Sequence, residues 1–224
     1  MLRGWLDRRR RARLAQHDDP ALRAFAQADW PERSSPAKNA QFLALDFELD
    51  GLESDAHILQ AGWISLDPHA IRLGTARRCD VFSDHQLSDK AVAVHGIGEG
   101  RARQGGDLKE VMSQMLKDCG GKIVVAHGAA IEKAALKRAA SAIWNVDLPV
   151  RAICTMALEQ RLQPNLSGDA LRLGACRSRY HLPEFDAHDA LNDAMATAEL
   201  FLAQLSRLPA DVRLASLEDA RVGH

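Results

Sequence analysis

The segment FLALDFEL (42–49) makes two demands that pull against each other. Phe42, Leu43, Ala44 and Leu45 are residues that enter a core. Asp46 and Glu48 follow, two residues apart. On a strand, residues i and i+2 point to the same side, so the two carboxylates share a face while Leu45, Phe47 and Leu49 pack on the other. Like charges this close repel, and desolvation makes each worse. One acid can be protonated, a basic residue can neutralise the pair, or a divalent cation can bind between them. The D-x-E spacing alone does not choose among these, and Asp46 at an exposed strand end would need none of them.

The rest of the chain supplies a scaffold. ILQAGWISLD (58–67) and IRLGTARRCDVFS (71–83) are predicted strands, joined by the turn-prone Asp67-Pro68-His69. Such short links favour antiparallel hairpins. DLKEVMSQMLKDCGG (107–121) has apolar residues at 108, 111, 112, 115 and 116, a helical stripe with Asp107 to cap its start and Gly120 its end. KIVVAH (122–127) reads as a short strand, AAIEKAALKRAASAIW (129–144) as a helix, and ICTM (153–156) as a strand leading into helix. AHDALNDAMATAELFLAQL (187–205) carries apolar residues at 191, 194, 195, 198, 201, 202 and 205, one helical face. Hairpin strands followed by strand-helix alternation predict an α/β fold, a mixed β-sheet flanked by helices. Residues 1–38 read as a helical N-terminal extension ending in the linker PERSSPAKN, residues 39–206 as the main domain, and 207–224 as a C-terminal tail.

Composition narrows the classes. A chain of 224 residues accommodates one sizeable domain with appendages. A net charge of −1 and a pI near 6.8 carry no global basic excess, although a local basic groove is compatible with both. The four cysteines show no C-x-x-C spacing, so neither zinc nor a redox dithiol is signalled, and free thiols fit a cytoplasmic setting. No apolar run approaches the ~20 residues of a membrane span. The Arg8–Arg11 run is read as part of a solvated amphipathic helix docked through Trp5, Leu6 and Leu14.

Two further acids are candidates to meet Asp46 and Glu48. Glu132 follows KIVVAH in the first turns of the next helix. Asp193 lies near the start of the 187–205 helix, five residues after His188. Five helical residues separate side chains by about 140°, so the two face together best with His188 in the preceding loop. Asp189 as N-cap places Asp193 near the positive helix end, which favours its ionised form.

Together these segments resemble the DEDD-type 3'-5' exonucleases of the histidine subgroup and are similar to the epsilon proofreading subunits of bacterial DNA polymerase III. LDFELDGL carries that family's D-x-E followed by Gly-Leu, at Asp46, Glu48, Gly51 and Leu52. VVAHGAAIEKAAL supplies Glu132, and HDALNDAMATAELFL supplies H-x-A-x-x-D as His188, Ala190 and Asp193. AVAVHGI (91–97) looks like the segment that lines the terminal-nucleotide pocket, with His95 and Ile97 against the base. The resemblance covers residues 41–206. It departs at Glu132 and Gly128, where the family has Asp and Asn, and at Leu49-Asp50, where hydroxyl residues are common at the substrate end.

The resemblance implies a ribonuclease H-like fold and two Mg2+ or Mn2+ ions, which all-carboxylate ligands suit better than zinc. Asp46, Glu48 and Asp193 would hold one ion, Asp46 would bridge to the second, and Glu132 would support that second ion. His188 would accept a proton from water. The substrate would be a nucleic acid 3' end, DNA first, with a DNA polymerase subunit as partner. Its alternatives are an RNA-trimming exoribonuclease and a catalytically silent nucleic-acid or polymerase-binding module. His127 reads as structural.

Overall fold

The computed structural model describes residues 2–51, 56–85, 87, 92 and 96–220. Helices α1 (Leu2–Leu14) and α2 (Pro20–Gln27) open the chain, the second capped by the Asp19 carboxylate, which accepts from the Ala21 N–H at 2.9 Å. Strand β1 (Phe42–Leu49) pairs antiparallel with β2 (Ile58–Asp67). Strands β3 (Ala70–Ile71) and β4 (Arg77–Asp80) both pair with β2. Helices α3 (Glu99–Ala102) and α4 (Leu108–Cys119) follow. Strand β5 (Ile123–Ala126) then lies parallel to β1, and after α5 (Ala130–Trp144) strand β6 (Ala152–Cys154) lies parallel to β5. Helices α6 (Thr155–Leu162), α7 (Leu173–Arg179), α8 (Ala190–Leu205) and α9 (Leu214–Glu218) complete the described elements. The six strands form one mixed sheet in the order β3-β2-β1-β5-β6, with β4 beside β2.

The alternation along β1 divides the core. Leu43, Leu45, Phe47 and Leu49 face one layer, with Leu22, Phe25, Met112, Met115, Ala135 and Leu136 of α2, α4 and α5. Phe42 and Ala44 face the other, with Phe201 of α8 and Leu214 and Leu217 of α9. The Phe42 and Phe201 rings meet edge to face at 5.0 Å. Asp46 and Glu48 continue this second face toward the strand's C-terminal end, over the start of α8.

The expected strand at 71–83 is broken into β3, a 3-10 turn at Leu73–Thr75 and β4. Thr75 causes the break. Its hydroxyl oxygen accepts from the Ser65 N–H at 2.9 Å and its O–H donates to the Arg72 carbonyl at 2.7 Å, which diverts both backbone groups from a ladder. The N-terminal helix also differs from expectation. Leu14 is buried, but Trp5 and Leu6 are 45% and 38% exposed, and Arg9 lies over the Trp5 ring at 4.6 Å rather than leaving it to the body.

Both flanks of residues 39–206 pack into the sheet's layers. Pro36 bridges to Arg213, and the Leu214 and Ala215 N–H groups donate to Ser35 and Arg33 carbonyls at 3.0 and 2.8 Å. Beneath them Arg151 grips Glu218 through two bonds, 2.6 and 3.1 Å, with side chains 4% and 3% exposed. Arg33 adds a third bond to Glu218 at 2.9 Å. Removing one partner of a buried ion pair strands the other and costs about 3–5 kcal/mol. Glu218→Ala is therefore expected to lower the thermal midpoint by roughly 10 °C at this chain length. A calorimetric midpoint within a degree of the unsubstituted protein would show that the pair does not secure the termini.

Candidate active site

The antiparallel register sets Asp46 opposite Gly62 and Glu48 opposite Gln60, on the sheet face that α8 crosses. Asp193 stands in the first turn of α8, and one oxygen each from Asp46, Glu48 and Asp193 lies within 4.8 Å of the others. Asp189 caps the helix by accepting from the Leu191 and Asn192 N–H groups, both at 3.2 Å. His188 precedes that cap in the left-handed region, φ 68°, with its side chain exposed. A non-glycine residue there is strained and held by its surroundings. Here the holding bond is its own N–H, which donates to Asp193 Oδ2 at 2.7 Å. The loop position that brings His188 and Asp193 together is thus built from the backbone.

Glu132 enters from α5. It is 4% exposed, and its Oε2 has no hydrogen-bond partner. Burial pushes its carboxyl up to about 8. Asp46 is held well above the usual carboxylate range by burial, then by Glu132, Asp193, Glu48 and Asp189. Asp193 is raised to about 6, again chiefly by burial. The bonds from the His188 and Asp189 N–H groups pull it down, as a helix start should, but desolvation outweighs them. Asp193 therefore gives up its proton only as pH rises through about 6, later than a helix-start position alone would set. The orphaned Glu132 oxygen and the three converging carboxylates fit divalent cations with oxygen ligands, because a cation supplies the charge that these four groups lack.

A second tier of residues sets α8 in place. A Cβ on Gly62 would lie 2.1 Å from the Ala190 carbonyl carbon, so only glycine lets the helix start cross β2 this closely. Gln60, buried, accepts from the Ala190 N–H at 2.8 Å and donates to Asp80 at 2.6 Å. Asp80 is held in turn by Arg101 at 2.7 and 2.8 Å, and Arg78 reaches Asp189 at 2.8 Å. Sequence reasoning missed these residues. The available signal was a glycine inside a strand, beside a buried glutamine, a pattern that marks close backbone approach.

The sequence profile of the RNase_T exonuclease family matches residues 43–201, the span that holds all four acids and His188. The chain belongs to the exonuclease family. Within it, the chain is similar to epsilon-type proteins. It is 30% identical over 186 residues to a DNA polymerase III subunit epsilon-like protein of Rhodobacter capsulatus, covering 79% of this chain and 25% of that one. It is 24% identical to the DNA polymerase III subunit epsilon of Treponema pallidum, over 75% of this chain and 78% of that one. A PolC-type DNA polymerase III of Thermotoga petrophila matches at 26% identity over 75% of this chain but only 12% of its own length. The chain thus spans a small part of several of its curated relatives. Among solved structures, Exonuclease X in complex with 5' overhanging duplex DNA shares the fold with a TM-score of 0.60 at 22% identity, covering 79% of this chain and 99% of that one. E. coli Exonuclease I in complex with a dT13 oligonucleotide gives 0.61 at 17% identity, over 75% and 41%.

The remaining expected positions lie as follows. His95 and Leu52 are outside the described residues. Ile97, 1% exposed, is buried with Leu59, Leu87 and Ala102. Leu49 is 7% exposed and belongs to the core below β1. The Asp50 carboxylate accepts from the His57 N–H at 2.8 Å and faces His57 Nδ1 at 3.0 Å. His127 is fastened between Thr155 Oγ1 and the Leu171 carbonyl at 2.9 and 2.8 Å, and burial pushes its imidazole down to about 4, so it stays neutral. All four cysteines are free, and among the described residues no helix is long and apolar enough to cross a membrane.

Proposed function

We propose that the protein is a metal-dependent 3'-5' exonuclease that releases nucleoside 5'-monophosphates from single-stranded 3' ends, DNA first. The observation that carries the reading is the meeting of Asp46, Glu48 and Asp193 oxygens within 4.8 Å from two distant parts of the chain. Asp46, Glu48 and Asp193 would hold one ion, Asp46 would also serve a second, and Glu132 would support the second through its buried oxygen. Bound magnesium or manganese supplies the positive charge that activates water and stabilises the leaving 3'-oxygen. His188, exposed at the edge of the cluster, would take the proton from that water, and its backbone N–H on Asp193 anchors the residue next to that acid. Leu49, Asp50, His95 and Ile97 would flank the terminal nucleotide, the buried pair as backing and the polar pair in contact. Likeness to DNA polymerase III subunits supports a polymerase subunit as partner.

The test is a 3'-labelled oligonucleotide incubated with protein and Mg2+ or Mn2+, with a matched RNA oligonucleotide alongside. Release of labelled mononucleotide from the first time point, stopped by EDTA, is the expected result. Internal cuts in a 5'-labelled strand, or turnover that survives EDTA, would overturn the assignment. Faster trimming of the RNA would move the substrate class to ribonucleic acid.

A further inference from the structure

Between the ends of β2 and β4 and helix α5, in the layer that packs on Leu45, Phe47 and Leu49, lies a cavity of about 240 Å³ that the chemistry above leaves unused. Its floor is apolar, with Ile58, Val81, Ala135 and Ala139. Its mouth is aromatic and cationic. Phe82 lines it and is 51% exposed, so its ring face is open to a partner. The His57 and His85 rings stack at 4.1 Å with 25° between their planes. Asp50 holds His57 in that stack by its two contacts, so the wall is set before anything binds. Arg138 donates one Nη2–H to the Ala56 carbonyl at 3.1 Å, and among the described residues no carboxylate forms an ion pair with it. Arg78 and Arg101 are paired with acids, whereas Arg138, half-buried on the cavity wall, has among the described residues only a backbone carbonyl. Asp84, the acid on this rim, lies 4.0 Å from His85 Nε2 and is 77% exposed.

An exposed aromatic face, a stacked imidazole pair and an unmatched guanidinium around one small hollow match a nucleotide, whose base has a π-face and whose phosphate is anionic. The volume is below the roughly 300–1,000 Å³ of a whole small-molecule site, which suits one base. The cavity connects to the exit of β1 through its wall residue His57, which is bonded to Asp50, two residues beyond Glu48. We infer that this cavity is a subsite for one unpaired base of the strand being degraded, upstream of the scissile bond, stacked on Phe82 and the histidine pair with its phosphate on Arg138. The inference rests on the exonuclease reading.

The test is binding without turnover. Fluorescence anisotropy in EDTA at low salt compares a thymidine dinucleotide with an octanucleotide, for the unsubstituted protein, Phe82→Ala and Arg138→Gln. Each substitution is expected to weaken octanucleotide binding about tenfold, within the range found for single base–aromatic stacks, and dinucleotide binding less than about twofold. Arg138→Gln is further expected to reduce the salt slope of octanucleotide binding by about 0.7. A 5-iodouracil photocrosslink scanned along the octanucleotide should map to Phe82 or His85 from one upstream position. Unchanged octanucleotide affinity in both variants overturns the subsite, as does an equal loss for both lengths, which would place these residues at the metal centre. The two readings separate cleanly. Phe82-dependent binding without mononucleotide release under Mg2+ or Mn2+ removes the exonuclease and keeps the subsite, and release with unchanged variant binding does the reverse.

Discussion

Asp46→Asn is expected to abolish turnover, by at least about a thousandfold, while making the metal-free protein more stable at pH 8. The loss follows from position. In the proposed mechanism Asp46 would serve both ions, and its charge would contribute several kcal/mol of transition-state stabilisation through them. The gain in stability follows from crowding, because Asp46 is buried among Glu132, Asp193, Glu48 and Asp189. A carboxyl whose folded pKa lies above its unfolded value binds more protons when folded, so its contribution is favourable below the unfolded pKa and is lost as pH rises through the folded one. For Glu132 that window runs from 4.5 to about 8, and for Asp193 from 3.8 to about 6. The unsubstituted protein in EDTA should therefore lose thermal stability from pH 5 to pH 8.5, and Mg2+ or Mn2+ should restore it by binding the folded state. Asp46→Asn removes one of the crowded charges, so its decline with pH should be shallower and its response to metal small. Denaturation midpoints across that range, with and without metal, measure both. An EDTA profile that rises toward pH 8.5 would show that these acids are not crowded, and unimpaired turnover in Asp46→Asn would remove it from the site.

Gly62→Ala is expected to reduce activity by about a hundredfold without touching any acid. The new methyl would meet Ala190 and Leu191 backbone atoms at 2.1 to 2.3 Å, against the 3.4 Å of ordinary contact. Backbone cannot rotate aside as a side-chain tip can, so the start of α8 must retreat by about 1 Å. That displaces Asp193 and His188 from Asp46 and Glu48, and a displacement of this size costs on the order of 10² in rate. The Gln60–Ala190 bond would lengthen with it. Gly74→Ala, where nothing lies within 4 Å of the added methyl, is the matched control. Steady-state kinetics and metal titration on the pair decide the matter. Equal activity in both variants would mean that α8 does not depend on the close crossing at Gly62.

Much of the site was legible because it obeys local rules. A period of two placed Asp46 and Glu48 on one face and Leu45, Phe47 and Leu49 on the other, and the core layers divide in that way. Asp107 and Asp189 start helices through their carboxylates, and the left-handed turn after α4 falls on Gly121, φ 75°, one residue beyond the Gly120 cap. The break at Thr75 escaped the pattern because one hydroxyl redirected two backbone groups, an event that hydrophobic periodicity does not register. Trp5 and Leu6 escaped it because an apolar helix face docks only where a partner surface exists.

The sequence by itself determined most of the long elements, the hairpin turn at Asp67-Pro68-His69, and the order in which four acids and a histidine enter the chain. Tertiary structure alone decided the rest. The parallel alignment of β5 beside β1 brings Glu132 to Asp46. The crossing at Gly62 delivers Asp193 to Glu48, and burial raises the Asp193 carboxyl that its helix position favours ionising. The reason is range. Side-chain periodicity and caps act over a few residues, whereas desolvation and charge crowding depend on what the folded chain packs around each group.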